Sequence, residues 1–79
     1  MVALDAMHRA REALLRRVGR SAAPVEAGDL VAIAEAAGGL CPRRGRALIG
    51  VLVRVGLLAR VEPAGVVRGR RWVRQETGD

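Results

Sequence analysis

Aromatic side chains are almost absent from this sequence, whose 79 residues include one Trp and neither Phe nor Tyr. Proteins that bind single-stranded nucleic acid by stacking bases need several exposed aromatic side chains. The composition therefore argues against a base-stacking platform of the RNA-recognition or single-strand-binding kind. A hydrophobic fraction of 51% argues equally against an intrinsically disordered tail.

Residues for metal binding and catalysis are also scarce. One Cys and one His cannot supply a zinc site, and one Cys cannot form an internal disulfide. We find no Ser, His and Asp grouping, no carboxylate pair, and no glycine loop followed by Lys. We therefore expect no enzyme activity, no metal and no cofactor. A chain of this length has room for one domain, residues 1–79, with no effector domain for a small-molecule ligand.

Long apolar runs are missing as well. The longest one, from Ala47 to Val53, is far shorter than the roughly 20 residues that cross a bilayer. The first 20 residues carry charges every few positions and lack the apolar centre of a signal peptide. We expect a soluble, cytoplasmic protein without a membrane partner.

Lysine does not occur, so all 14 basic residues are Arg, and the net charge is +6. A GC-rich coding sequence accounts for Arg in place of Lys but does not account for the position of the arginines. Residues 1–42 hold five Arg and five acidic residues, whereas residues 43–79 hold nine Arg and three acidic residues. So basic a chain is typical of a protein that meets a polyanion, and we expect the polyanion-facing surface in the second half.

The spacing of apolar residues predicts three helices, over residues 4–18, 29–37 and 42–55. Gly19 is expected to end the first helix, and Asp29 to cap the second. Pro42 suits the first turn of the third helix, because its missing N–H costs nothing there. Gly45 and Gly50 weaken this helix, unless close packing requires a residue without a side chain.

The expected core residues follow the helical period. In the first helix they are Leu4, Met7, Ala10, Leu14 and Val18, with Leu15 at the edge; in the second, Leu30, Ile33, Ala34 and Ala37; in the third, Leu48, Ile49, Leu52 and Val55.

After Gly56 the period changes to two, and a Pro-Ala-Gly turn separates two runs with strand-forming residues. This predicts a β-hairpin over residues 57–74, with residues 66–74 as its second strand and 75–79 as a frayed tail. Val25 is expected to add a strand of one or two residues. The fold class is mainly α with a small β-hairpin (α+β).

This order of elements resembles the winged helix-turn-helix. Regulators of that superfamily often carry Leu-Ser-Pro-Ser-Thr-Val-Ser, then Leu at helical spacing, then Gly-Leu-Val leading into the hairpin. This chain has Leu40-Cys41-Pro42-Arg43-Arg44-Gly45-Arg46, then Ile49, Leu52 and Val55, then Gly56-Leu57-Leu58, without a gap. The resemblance covers residues 4–74 and implies a double-stranded DNA-binding transcription regulator with three helices and a C-terminal wing.

The resemblance also implies the DNA-binding residues. Helix 42–55 would be the recognition helix and enter the major groove by its N-terminal half, while the wing would lie on the backbone or in the minor groove. Arginine suits both positions, since it reads guanine by two parallel hydrogen bonds and is attracted to a narrow minor groove. The implied residues are Arg43, Arg44, Arg46 and Ala47 in the helix and Arg60, Arg68, Arg70 and Arg71 in the wing.

Three positions depart from the family pattern. Cys41 replaces a common Ser, which weakens the helix cap, and we expect it to be buried and inert. Gly45 replaces an aliphatic residue, and Ala47 replaces a position that often contacts DNA. Trp72 is expected to pack in the core or against the hairpin.

Two other functions remain open. One is binding to structured RNA, as in a ribosome-associated protein, or non-specific binding in chromatin. The other is a protein-interaction winged helix, in which the arginines are incidental. Leu15, Val51 and Val53 are apolar residues beyond those that the small core needs to bury. We therefore also expect a homodimer, through the first helix.

Overall fold

The computed structural model describes residues 2–72, and in this range three helices precede a two-stranded antiparallel hairpin. The elements are α1 (Val2–Arg20), α2 (Ala27–Gly38), α3 (Pro42–Arg54), β1 (Leu58–Arg60) and β2 (Val66–Arg68). The predicted fold class is confirmed, since the three helices and the two-stranded hairpin form an α+β, winged-helix-like layout. The predicted tail 75–79 and the side chain of Leu4 lie outside what the structure describes.

The first helix is buried over a wider stripe than its sequence period indicates. Leu15, expected at the edge, is only 4% exposed, because α1 is covered by α2 on one side and by β2 on another. Met7, expected in the core, is 38% exposed. The tight contact between α1 and α2 forms instead at Ala6 and Ala10, which lie against Gly38.

Several helix ends differ from the prediction by one or two residues, among them the end of α1 and the start of α2. The first helix continues through Gly19 to Arg20, where the Gly19 carbonyl accepts a hydrogen bond from Arg68 at 2.9 Å. The second begins earlier than predicted, with Glu26 as its N-cap, so Asp29 lies in the first turn and is not the cap. An acid in this turn is favourable because the helix N-terminus carries partial positive charge.

The turn between α2 and α3 brings the two helices into close contact. Gly39 has a φ of +70°, which favours glycine, and its N–H donates to the Glu35 carbonyl at 2.8 Å. Gly45 is buried against α2, where an added Cβ would lie 3.4 Å from Cγ1 of Val31. This is an ordinary van der Waals distance, so close packing does not require a residue without a side chain at Gly45.

The third helix ends one residue early, and Val55 is 45% exposed rather than buried. Gly56 follows with a φ of +92° and turns the chain away, which leaves Val55 as the C-cap outside the core. Cys41, expected to be buried, is exposed at the start of the same helix.

The hairpin pairs Leu58 with Arg68 and Arg60 with Val66. Val25 joins it through two backbone hydrogen bonds to Val66, as predicted. The second strand ends at Arg68, so the predicted strand 66–74 is wrong over residues 69–72; beyond these, the prediction falls on residues outside the described part. The N–H groups of Gly69 and Arg71 donate to carbonyls of the α3–β1 connection, which folds residues 69–72 back onto it.

A single core lies between the helices and the inner face of the hairpin. The largest fully buried side chains come from all three helices and both strands, and they are Leu14, Leu30, Ile49, Leu58 and Val66. Trp72 packs against this core while half-buried, as expected.

Candidate nucleic-acid interface

The third helix exposes the positions that the sequence predicted to face a ligand. Its buried stripe consists of Gly45, Leu48, Ile49 and Leu52. Arg43 and Ala47, one turn apart, lie on the opposite side of the helix and are exposed. Arg44 and Arg46 flank them and are exposed as well. The first half of α3 therefore presents three guanidinium groups to the outside.

The start of α3 also offers backbone donors. The Cys41 carbonyl accepts the first helical bond, from the Gly45 N–H at 2.9 Å. The N–H groups of Arg43 and Arg44 precede it and have no acceptor within the helix. In the described part of the chain, the Cys41 side chain makes no capping hydrogen bond. These donors can therefore bind an anion, and the helix dipole favours one there.

A groove brings the hairpin into the same site. Arg46 of α3 and Arg60 of β1 both line a groove of about 400 Å³ between α2, α3 and the hairpin. Val31 and Ile49 line its apolar part, and Glu35 is its one acidic residue. We call the residues Arg43, Arg44, Arg46, Ala47 and Arg60 the α3 surface.

The other predicted arginines of the wing lie elsewhere. Alternation along a strand puts Arg60 and Arg68 on the same face of the hairpin as Leu58 and Val66. The register, however, places Arg60 and Arg68 at diagonal corners, on either side of that buried pair. Arg60 reaches the groove beside α3, whereas Arg68 reaches the C-terminal end of α1.

Arg70 and Arg71 lie at the same end of the hairpin as Arg68, away from Arg60. They are exposed in the turn after β2, where the Arg71 N–H donates to the Gly56 carbonyl at 2.8 Å. This turn is at the base of the hairpin, next to the C-terminal end of α3. The loop at the opposite end, residues 61–65, contains Glu62 and no arginine. The structure thus divides the predicted site into two basic surfaces.

Sequence reasoning missed two neighbours of the α3 surface. Arg54 is exposed and lies eleven residues after Arg43. This separation is about three helical turns, so both side chains lie on the outward side of α3. This spacing could have been read from the sequence. The N-terminal residues of α2, Ala27 and Gly28, line the groove beside Arg46. Only the packing of α2 against α3 reveals that contact.

The described residues also bear on metal centres, membrane-spanning helices and ion pairs. Within residues 2–72, no three His, Cys, Asp or Glu side chains are grouped to hold a metal ion. No helix in that range is long and apolar enough to cross a bilayer. The one ion pair found there joins Arg11 to Glu12 at 3.0 Å, so it involves none of the arginines of the α3 surface.

Comparison with known protein families, with curated protein sequences and with solved structures finds no match to this chain.

Proposed function

We propose that this chain is a double-stranded DNA-binding protein, a small dimeric transcription regulator that places the N-terminal half of α3 in the major groove. The observation that supports the proposal most is the α3 surface itself. Arg43, Arg44 and Arg46 fall within four residues of one helix and are all exposed. Such close positive charges repel each other, and a polyanion relieves that repulsion.

Contact with the bases would come from the outward side of α3. The major groove is about 12 Å wide and admits an α-helix. Ala47 and Gly50 are small residues on the outward side, so they allow the helix backbone to approach the floor of the groove. Arg43 and Arg46 are then within reach of guanine, which an arginine binds by two hydrogen bonds.

Contact with the backbone would come from the start of α3 and from Arg60. The N–H groups of Arg43 and Arg44 are donors for a phosphate. Arg60 stands on the adjacent strand and borders the same groove as Arg46. It would reach the flanking phosphates or the minor groove, the role that the resemblance implies for the wing.

Selection from a random pool of double-stranded DNA at about physiological salt tests whether the protein reads sequence. We expect an inverted repeat whose half-sites are about one helical turn, roughly 34–36 Å, apart. Binding without an enriched motif would contradict a sequence-specific regulator. It would favour the non-specific alternative, in which the arginines bind phosphates only.

Replacing Arg43, Arg44 and Arg46 together by Gln tests the α3 surface. The variant should bind duplex DNA much more weakly. The slope of log K against log salt should fall by about 0.9 for each lost phosphate contact. R9Q/R11Q/R16Q is the matched control, because it removes the same number of positive charges but lies in α1. Equal binding by wild type and the triple variant would refute the proposal.

One observation favours structured RNA as a second candidate. Asn and Gln read adenine, but the sequence has no Asn, and its one Gln is residue 75. Arginine alone suits backbone recognition of an A-form duplex. Competition between equal lengths of duplex DNA and duplex RNA for the same labelled probe distinguishes the two. Preference for RNA, together with co-sedimentation with ribosomes, would favour this second function.

A further inference from the structure

We infer that the chain carries a second polyanion site at the base of the hairpin, which holds the phosphate backbone of a second nucleic-acid duplex while the α3 surface holds the first. We call Arg20, Arg68, Arg70 and Arg71 the hairpin-base surface. All four side chains are exposed. The inference goes beyond the proposed function, because it depends on residues outside the α3 surface.

Specific contacts join the two segments that build this surface. The Arg68 guanidinium donates to the Gly19 carbonyl at 2.9 Å and lies 5.7 Å from the centre of the Trp72 ring. A Cβ added to Gly19 would lie 3.1 Å from Cζ2 of Trp72, so the ring rests against the end of α1. Arg20 at that end therefore lies on the same side of the molecule as the turn with Arg70 and Arg71.

Within the described residues, the segments that carry this surface contain no acidic residue to balance its charge. Residues 13–25, 54–61 and 63–72 contain no Asp or Glu. Within residues 2–72, the ion pair that the structure shows, Arg11 with Glu12, involves none of the four arginines. A partner of high negative charge density would relieve the repulsion among them, and a duplex carries one charge per about 1.7 Å of its axis.

The ligand should be bound by its backbone and not by its bases. Trp72 is half-buried, with Arg68 over its ring and Gly19 at its edge, so it is not placed to stack on a base. Arg70 and Arg71 offer guanidinium donors, which form strong charge-assisted hydrogen bonds with phosphate oxygens. We therefore expect this second site to bind duplexes of any sequence.

The two surfaces lie at opposite ends of α3. The α3 surface begins at the N-terminal end of α3, whereas the Arg71 N–H is bonded to Gly56, just beyond its C-terminal end. A helix of 13 residues is about 20 Å long. With only the N-terminal half of α3 in a major groove, as in the proposed function on which this step rests, the hairpin base lies beyond the other end of the helix and can receive another duplex.

A capture experiment tests this inference. One 20-base-pair duplex is fixed to beads, the protein is added, and capture of a second, fluorescent duplex is measured. We expect the wild type to capture the second duplex and R70Q/R71Q to lose at least about nine-tenths of the signal. R70Q/R71Q should still bind the fixed duplex, with a salt slope smaller by up to about 1.8 for two contacts. R9Q/R11Q is the charge-matched control and should capture as the wild type does.

Capture by R70Q/R71Q at the wild-type level would overturn the inference, and so would an absence of capture by the wild type. A homodimer that bridges two duplexes through two α3 surfaces would give the first of these results. Adding R43Q/R44Q/R46Q to R70Q/R71Q tests the proposed function separately, because the hairpin-base surface is then already removed and any further loss of binding to the fixed duplex reports on the α3 surface alone. Should R70Q/R71Q fail to fold, R20Q/R70Q replaces it, because it retains Arg71, whose methylenes lie against Gly56.

Discussion

At the scale of single residues, Arg68 shows how a contact in the folded chain gives a side chain a structural role. The sequence places it among the arginines of the wing, and the resemblance implies that it binds DNA. In the structure its guanidinium also donates to the Gly19 carbonyl and lies over Trp72 while the side chain stays exposed. It therefore satisfies a carbonyl at the end of α1 and adds a cation where the helix dipole favours one.

We predict that R68A lowers the free energy of unfolding by about 1 kcal/mol, because it removes one charge-assisted hydrogen bond at an exposed site. R70A should change it by less than about 0.5 kcal/mol, as expected of an exposed residue away from such a bond. Urea denaturation of both variants checks this. Equal stability of R68A and the wild type would show that the bond to Gly19 contributes nothing in solution.

Three glycines inside helices make a second test at this scale. A Cβ on Gly38 would overlap the carbonyl of Ala6, whereas one on Gly45 would make ordinary contacts with Val31 and Ala34. Within the described residues, nothing lies within 4 Å of a Cβ on Gly50. We predict that G38A destabilises the protein by about 1–3 kcal/mol, because it forces α1 and α2 apart.

G45A and G50A should both stabilise the protein, by up to about 1 kcal/mol, because Ala favours the helix over Gly. G45L should be destabilising, since the space beside α2 admits a methyl group and little more. Thermal unfolding of the four variants measures these differences. Destabilisation by G45A would mean that the helices approach more closely at Gly45 than the structure shows.

At the scale of elements, α3 combines a strong sequence signal with a weak cap. Pro42, the buried stripe and Gly56 predicted its limits to within one residue. Cys41 holds the N-cap position with the extended backbone that a cap requires, at a φ of −70° and a ψ of 162°. Its thiol is a poor substitute for the Ser hydroxyl that accepts a hydrogen bond from the first turn.

We predict that C41S raises the free energy of unfolding by about 0.5–1 kcal/mol, because the hydroxyl can cap α3. C41A provides the comparison, since it removes the thiol and adds no acceptor. Chemical denaturation of the two variants under reducing conditions measures the effect. If C41S and C41A were equally stable, the hydroxyl would not cap the helix in this backbone.

At the scale of the whole molecule, the exposed apolar side chains bear on the proposed dimer. Leu15 and Val53 are two of the residues on which the expected homodimer was based. In the structure Leu15 belongs to the core, and Val53 is half-buried against it. The large hydrophobic side chains that are exposed include Met7 on α1 and Val51 on α3. The proposed dimer through the first helix would therefore rely on Met7 rather than on Leu15.

Light scattering should give about twice the monomer mass, and M7E should reduce it to the monomer if α1 forms the interface. V51E places the same charge on α3 and should leave such a dimer intact. The reverse result would move the interface to α3. A wild-type monomer at high micromolar concentration would exclude the dimer altogether.

The sequence by itself determined the class of fold and one of the two basic surfaces. Helical spacing marked the three helices, and the change of period after Gly56 marked the hairpin. The arginines at the start of α3 were also evident, because neighbours in sequence remain neighbours on a helix. These features are local, and local periodicity and turn residues specify them.

Only the tertiary structure decided which distant residues meet. The pairing of Arg60 with Val66 and of Leu58 with Arg68 sent the two arginines to opposite ends of the hairpin. The second strand ended early because the Leu57 N–H bonds to the Leu52 carbonyl and the Trp72 N–H closes a turn onto the Gly69 carbonyl. Hairpin register depends on the conformation of the turn, and packing such as that of Arg68 on Gly19 depends on contacts between segments far apart in the chain; apolar spacing specifies neither. The arginines predicted for the wing therefore lie on two separate surfaces.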